Sequence, residues 1–216
     1  MARVAVVLSG CGHLDGAEIH ESVITLLALG RAGAEVECLA PDKPQLDVID
    51  HASGRPIPGE SRNVLVEAAR IARGKIRDVA QARAEDYDAV VVPGGYGAAK
   101  NLSSFAVDGA DCTVDPGVER LLRAAHAAGK PIGLICIAPA IGARLFPEVE
   151  LTIGSDPGTA GALEQMGAHH KSCPVDAFVC DEKRRVVSCP AYMLGPGIQD
   201  VAAGIEKLVD EVLRLA

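Results

Sequence analysis

The sequence contains no tryptophan, and aromatic residues make up only 3% of its 216 residues. Proteins that bind single-stranded nucleic acid stack the bases on aromatic side chains, so a base-stacking surface is not expected. The formal net charge of −8 at pH 7 also disfavours binding to nucleic acid or to anionic membranes. The sequence therefore predicts neither a nucleic-acid partner nor a membrane partner.

Long apolar runs and paired metal-binding cysteines are also missing. No stretch approaches the ~20 apolar residues that a membrane-spanning helix requires, and the N-terminal run Val4 to Leu8 is too short for a signal peptide. Seven cysteines occur without a Cys-x-x-Cys pair, which favours reduced thiols over disulfides or a zinc site. We expect a cytosolic protein without a metal site.

The chain does contain short apolar runs that alternate with segments of helical periodicity, and 49% of its residues are hydrophobic. This alternation indicates an α/β fold with a doubly wound, mostly parallel sheet and helices on both faces. Short strands after residue 165 indicate a small antiparallel extension, and no linker or repeat divides residues 1–216, so we expect one domain. Strands are expected at 4–8, 35–40, 88–93, 132–135, 149–153, 167–171, 175–180 and 185–189, helices at 17–33, 63–72, 118–129 and 198–215, and a loop at 41–60.

Cys136 follows the buried strand 132–135, and Ala138-Pro139-Ala140 fits the first turn of a helix. A cysteine between a strand and a helix N-terminus lies near unpaired N–H groups, which favour thiolate over thiol. The sequence therefore predicts a reactive Cys136. The alternative is a buried cysteine that only packs, as free cysteines commonly do.

Glycine-rich segments follow two other strands, at 10–16 and 94–97. Because the carboxyl ends of parallel strands meet at one edge of the sheet, we expect both segments near Cys136. A main-chain N–H of Gly94 or Gly95, with that of Ile137, is expected to form an oxyanion hole. The alternative is a tight turn without a ligand.

Two glutamates, Glu18 and Glu21, begin the first helix, and Asp15 with Glu18 resembles a capping box. Either glutamate complements the helix dipole, or one faces Cys136 and moves a proton. Three further side chains in or beside the first loop are accessory candidates, although packing or surface roles also account for them: Cys11, His13 and His20.

The first glycine segment also has a competing interpretation. Gly10-x-Gly12-x-x-x-Gly16 after a strand, with Asp42 after the next, is typical of a dinucleotide-binding loop. The position of the last glycine is off by one from the usual pattern. Nucleotide binding therefore stays a minor alternative.

At this point the residues resemble a known family. Gly-Leu-Ile-Cys136-Ile-Ala-Pro resembles the nucleophile elbow of the class I glutamine-amidotransferase-like superfamily, in the branch of the PfpI peptidases and the Parkinson-associated deglycase-like proteins. Ala17-Glu18-Ile-His-Glu21 resembles the first-helix motif, whose cysteine-contacting glutamate corresponds to Glu21. Pro93-Gly-Gly-Tyr-Gly-Ala-Ala-Lys-Asn101 resembles the glycine loop, which makes Asn101 an accessory candidate.

The blocks Ser9-Gly-Cys-Gly, Asp111-Cys-Thr-Val-Asp, Cys173-Pro-Val-Asp and Pro190-Ala-Tyr-Met are similar to the ElbB family, also called enhancing lycopene biosynthesis or sigma cross-reacting proteins. The resemblance covers nearly the whole chain. It implies a flavodoxin-like fold, a homodimer, an association with isoprenoid biosynthesis, and a glyoxalase-like conversion of glyoxal to glycolate. That chemistry acts on a small carbonyl substrate and requires no metal or organic cofactor.

The sequence departs from the related peptidases and glutaminases at two places. Ile137 stands where the peptidases carry a histidine, and Ser188-Cys-Pro-Ala-Tyr192 replaces a late His-x-Glu pair. We therefore expect Cys136 to attack an aldehyde, with Glu21 transferring the proton, rather than peptidase or glutaminase activity. The alternative is a non-enzymatic redox sensor or small-molecule-binding protein in which Cys136 is oxidised or occupied without turnover.

Overall fold

The computed structural model describes residues 1–216 and is built on a seven-stranded sheet. Six neighbouring pairs form this sheet; five are parallel, and the pair at one edge is antiparallel. The α/β class, the mostly parallel sheet and the antiparallel extension are thus confirmed. From that edge, the strands are β10 (Val179–Asp181), β11 (Val186–Cys189), β7 (Ile132–Ile135), β6 (Ala89–Val92), β1 (Arg3–Val7), β2 (Glu35–Ala40) and β5 (Ile76–Asp78).

Helices cover both faces of the sheet because successive residues of each strand point to opposite sides. The α-helices are α1 (Ile19–Arg31), α2 (Val64–Ile71), α3 (Tyr96–Lys100), α4 (Phe105–Asp108), α5 (Pro116–Ala127), α6 (Pro139–Leu145), α7 (Pro157–Gln165) and α8 (Ile198–Leu215). Val90 and Val92 pack in one core with α5 and α6, whereas Val91 packs in a second core with α1 and α8.

Some short elements differ from the expectation. The predicted loop 41–60 contains a small hairpin of β3 (Ile49–Asp50) and β4 (Arg55–Pro56). The short strands β8 (Glu150–Leu151) and β9 (His169–His170) form a separate parallel pair rather than joining the antiparallel extension. Strand β5 was not expected, because Ile76-Arg77-Asp78 carries a single apolar residue and gives no strand pattern.

The carboxyl ends of β1, β6 and β7 lie side by side, since these strands are parallel neighbours in the sheet. The residues that follow them therefore meet at one edge, as the topology rule requires. No helix of the structure combines the length and the apolar character that crossing a bilayer requires.

Candidate active site

Cys136 occupies a sharp turn between β7 and α6. Its φ is 62°, in the left-handed region that costs a non-glycine residue roughly 1–2 kcal/mol. The main-chain N–H of Cys136 donates to the carbonyl of Cys189 at 2.9 Å, and that of Ala138 donates to Ile135 at 3.0 Å. Since Pro139 then opens α6, strand and helix together hold the strained residue and direct its side chain into the crevice.

Glu21 reaches this thiol from the first turn of α1 and is completely buried. One carboxyl oxygen accepts the N–H of Gly94 at 2.9 Å, and the other accepts the N–H of Tyr192 at 3.3 Å. The third partner is the Cys136 thiol, which shares a hydrogen bond with this carboxyl group. The structure thus places Glu21, and not Glu18, at the cysteine.

The close approach of cysteine and carboxyl depends on the glycine that separates them. A Cβ atom at Gly94 would lie 2.4 Å from the Cys136 Cβ and 2.7 Å from a Glu21 oxygen. At Gly95, where φ is 92°, a Cβ would lie 2.3 Å from the main-chain nitrogen of Glu18. Only glycine fits at either position, so these two residues allow α1 to reach the elbow.

Burial controls the protonation of the pair. Burial, followed by the charge of Glu18, raises the pKa of the Glu21 carboxyl to about 8. Burial and the Glu21 charge also raise the pKa of the Cys136 thiol well above its usual value. The expectation that this turn favours the thiolate is therefore wrong for the resting protein, because desolvation and a neighbouring carboxyl outweigh the N–H donors.

Two N–H groups nevertheless point at the sulfur. Those of Gly95 and Ile137 hydrogen-bond Cys136 and oppose the rise in its pKa. The N–H of Gly94, the third candidate for an oxyanion hole, is bonded to Glu21 instead and is not free for a substrate. The available donors are thus the N–H of Gly95, in the glycine loop after β6, and the N–H of Ile137, in the turn after β7.

Glu18 is the N-cap of α1, and its side chain accepts the main-chain N–H of Glu21 at 2.7 Å. The expected capping box of Asp15 and Glu18 is therefore wrong, since the helix begins at Ile19 rather than Ala17. The buried Asp15 instead accepts the N–H of Ile49 at 2.8 Å and fixes the loop that contains β3. Glu18 influences the site mainly as a negative charge beside Glu21.

His20 and Tyr192 form a hydrogen-bonded pair next to Glu21. The Nδ1 atom of His20 lies 2.7 Å from the phenol oxygen of Tyr192. Tyr192 was not among the sequence candidates, although it lies in the segment that replaces the late His-x-Glu pair and follows the end of β11. Tyr192 follows β11, which is the neighbour of β7 in the sheet, and this position predicts that it lies near Cys136.

The remaining candidates serve the loops around the site. Asn101 is buried and donates to the carbonyls of Ser9 and Asp15, both at 2.9 Å, which ties the first loop to α3. The exposed His13 packs its ring 5.2 Å from that of His51. No hydrogen bond joins either side chain to Cys136 or Glu21.

Cys11 has no hydrogen bond to Cys136, and charged side chains of α2 act on it. Burial raises the pKa of this thiol, and the charges that act on it come from Arg70, Glu67 and Asp15. All seven cysteines are free in the structure. Cys11 is therefore a second free thiol rather than a partner of Cys136.

The first glycine loop closes on itself. The N–H of Gly12 donates to the carbonyl of Ala17 at 2.9 Å, and that of Gly16 donates to the carbonyl of Gly12 at 2.7 Å. These donors are not available to a phosphate, and Asp42 accepts from Asn63 at 2.8 Å. The geometry does not favour the dinucleotide interpretation, and no three His, Cys, Asp or Glu side chains are grouped to hold a metal ion.

With this geometry established, comparison with known proteins gives a consistent result. The model of the DJ-1/PfpI family matches residues 3–146. The human glutamine amidotransferase-like class 1 domain-containing protein 3, mitochondrial, is 52% identical over 99% of this chain and 83% of its own length. The zebrafish mitochondrial ES1 protein is 38% identical over 99% of this chain and 86% of its own length.

Solved structures show the same relationship. An isoprenoid biosynthesis protein with an amidotransferase-like domain from Ehrlichia chaffeensis is 40% identical, with a TM-score of 0.93 over 100% of this chain and 99% of its own. A glyoxalase III from Candida albicans is 15% identical, with a TM-score of 0.66 over 99% of this chain and 97% of its own, and shares the fold. The superfamily and the ElbB-type resemblance are thereby confirmed.

The comparison corrects one expectation. The human, rat and zebrafish relatives are all named as mitochondrial proteins, which contradicts the cytosolic location expected from the sequence. That expectation rested on reduced cysteines and on the absence of a signal peptide. Neither feature distinguishes one reducing compartment from another, because the amino-acid composition of a folded domain does not specify its subcellular location.

Proposed function

The chain belongs to the DJ-1/PfpI family, and from that premise we propose that it is a glyoxalase-like enzyme that uses Cys136 as its nucleophile. The substrate is glyoxal or a related small reactive aldehyde, and the product is a 2-hydroxy acid. The observation that carries the proposal is the burial of Cys136 and Glu21 side by side, with both side chains against Gly94.

Glu21 activates the thiol in the first step. With a pKa of about 8, about a tenth of Glu21 is ionised at pH 7 and able to accept the thiol proton. The sulfur then bonds to the aldehyde carbon while the carbonyl electron pair moves to oxygen, and Glu21 returns the proton to that oxygen. A base whose pKa lies near the operating pH suits this exchange.

The N–H groups of Gly95 and Ile137 stabilise the negative charge as it moves. In the resting protein both point at the sulfur, where charge develops when the thiol loses its proton. They remain beside the hemithioacetal oxygen as that charge passes to it. Main-chain donors suit this role because the elbow and the glycine loop hold them in place before the substrate arrives.

Glu21 then moves a proton between the two substrate carbons. It takes the proton from the carbon bonded to sulfur and delivers it to the neighbouring carbon, while the hydroxyl proton of the first carbon passes to the oxygen of the second. The hemithioacetal thereby becomes a thioester. Water attacks the thioester carbon, the carbon–sulfur bond breaks, and the sulfur regains its proton. Glyoxal and one water thus give glycolate without an external oxidant.

The redox-sensor alternative receives less support from the geometry. Sensor cysteines are exposed and have a lowered pKa, whereas Cys136 is only 6% exposed and its pKa is raised. A sensor or binding protein would show stoichiometric modification without turnover. Turnover therefore distinguishes the two functions.

The deciding experiment measures glycolate production from glyoxal by the wild type and three variants. Cys136→Ala and Glu21→Gln should each lower kcat/KM at least about 100-fold, the usual scale for losing a nucleophile or a general base. Cys11→Ala, which removes a free thiol outside the site, serves as the matched control and should retain wild-type activity. Equal rates for the wild type and Cys136→Ala would refute the proposal.

A further inference from the structure

Tyr192 connects an exposed residue of α1 to a buried one. Its N–H donates to Glu21 at 3.3 Å, while its phenol oxygen lies 2.7 Å from Nδ1 of His20. His20 and Glu21 are consecutive in α1, so their side chains leave the helix about 100° apart. One therefore reaches solvent and the other the core, and Tyr192 contacts both.

The backbone after β11 fixes the position of this tyrosine. The preceding residue, Ala191, is completely buried and has a φ of 41°, a conformation that only a constrained turn imposes on alanine. The N–H of Tyr192 is thereby directed at the Glu21 carboxyl, while its phenol contacts His20, the neighbour of Glu21 in α1. Burial and the charges of Glu18 and Glu21 raise the pKa of the phenol, so it keeps its proton at neutral pH.

We propose that Tyr192 is the catalytic acid for the second oxygen of a 1,2-dicarbonyl substrate, and that His20 is the positioning residue that orients the phenol. This inference rests on the proposed function of the same site. It assigns a role to a residue that had none, in the proton transfer between the two substrate carbons.

The phenol completes the proton transfer that Glu21 begins. When Glu21 takes the proton from the sulfur-bearing carbon, the C–H electron pair forms a carbon–carbon double bond. The electron pair of the second carbonyl moves to its oxygen, which takes the proton of Tyr192. The phenolate next takes the hydroxyl proton of the first carbon, whose carbonyl re-forms as the second carbon receives the proton held by Glu21. Both side chains then have their starting protons.

Substrate selectivity follows from this sequence of steps. A simple aldehyde has no second carbonyl oxygen to accept the electron pair, so it can form a hemithioacetal with Cys136 but cannot proceed to a thioester. A 1,2-dicarbonyl has that oxygen one carbon away from the bond to sulfur. The phenol therefore acts after the covalent step and leaves the first addition unaffected.

The test separates covalent capture from turnover in the full-length protein. Capture is measured as the protection of Cys136 from alkylation by increasing glyoxal or propionaldehyde, and turnover as glycolate formation from glyoxal. Tyr192→Phe should lower kcat about 100-fold, the usual loss of a general acid, and leave the protection midpoint within about twofold. Tyr96→Phe is the matched control, since it removes an exposed phenol from the start of α3 and should change neither measurement.

His20 is tested by rescue, because a positioning residue acts through another group. His20→Ala should lower kcat about tenfold without moving KM, and His20→Gln, which can still hydrogen-bond the phenol, should recover most of the loss. If Tyr192→Phe is fully active while turnover still depends on Cys136, the role of Tyr192 is refuted and the proposed function stands. An equal loss of capture and turnover would show that Tyr192 only shapes the site, and an inactive wild type would overturn the proposed function as well.

Discussion

Replacing Glu21 by glutamine should change how the stability of the protein depends on pH. Glutamine keeps the shape of the protonated carboxyl and an oxygen to accept the Gly94 N–H, and its amide can donate to Cys136 in place of the acid proton. It cannot ionise. The comparison of the two proteins therefore isolates the free energy of ionising one buried carboxyl.

The sign and size follow from the pKa of Glu21. Its value of about 8 in the folded protein lies above the ordinary 4.5, so between these values the unfolded chain has released a proton that the folded protein still holds. The wild type must then lose stability as pH rises, by about 1.4 kcal/mol per pH unit. Over pH 5 to 8 the free energy of unfolding of Glu21→Gln should rise relative to the wild type by about 3–4 kcal/mol.

Urea unfolding followed by circular dichroism at pH 5, 6, 7 and 8 measures this difference. Glu164→Gln, which removes an exposed carboxyl from α7, controls for the loss of one charge, and its difference from the wild type should stay constant. A constant difference for Glu21→Gln as well would mean that Glu21 is ionised throughout. That result would refute the account of the site as a protonated, buried pair.

Four further predictions follow. Alkylation of Cys136 by iodoacetamide should rise with pH through an inflection near 8 in the wild type, where Glu21 is half ionised. Glu21→Gln should lack that inflection, as peptide mapping would show; an unchanged inflection would exclude Glu21 as the base. Gly94→Ala should abolish turnover and cost about 1–3 kcal/mol by overpacking, whereas Gly161→Ala, in open space on α7, should leave turnover intact; an active Gly94→Ala would contradict the geometry. Peptidase and glutaminase assays should give no activity above Cys136→Ala, because no histidine hydrogen-bonds the thiol to protonate a leaving amine; cysteine-dependent ammonia release would contradict this. The homodimer stays a prediction, and the exposed α1 row of Ile19, Val23 and Leu27 offers a face for it, so Val23→Glu should yield a monomer by sedimentation while Val66→Glu should not.

The fold was largely predictable because its central strands are continuous apolar runs. Val4 to Leu8 and Ile132 to Ile135 have no polar face, which is the pattern of a parallel strand covered on both sides. The edge strand β5 gave no such signal. It has only three residues, all of them partly exposed, so it can form with a single apolar side chain. One edge strand was therefore missed, whereas the central strands were found.

The sequence predicted which two residues meet at the candidate site, Cys136 and Glu21, but not their protonation states. The turn after β7 and the motif in α1 indicated Cys136 and Glu21, because strand ends and helix starts can be read from local sequence. The pKa of each depends on complete burial, which arises from segments distant in the chain. The local sequence shows which N–H donors stabilise a charge at Cys136. It does not show how far folding removes water from Cys136 and Glu21, and this desolvation decides their pKa values.

Most of the hydrogen bonds that hold the reactive pair come from the main chain. Gly94 and Tyr192 supply N–H groups to Glu21, while Gly95 and Ile137 supply theirs to Cys136. A main-chain amide persists through substitution of its own side chain, so the residue types at 137 and 192 can change without removing these donors. The hydrogen bonds around Cys136 and Glu21 therefore tolerate side-chain substitutions at the positions that supply them.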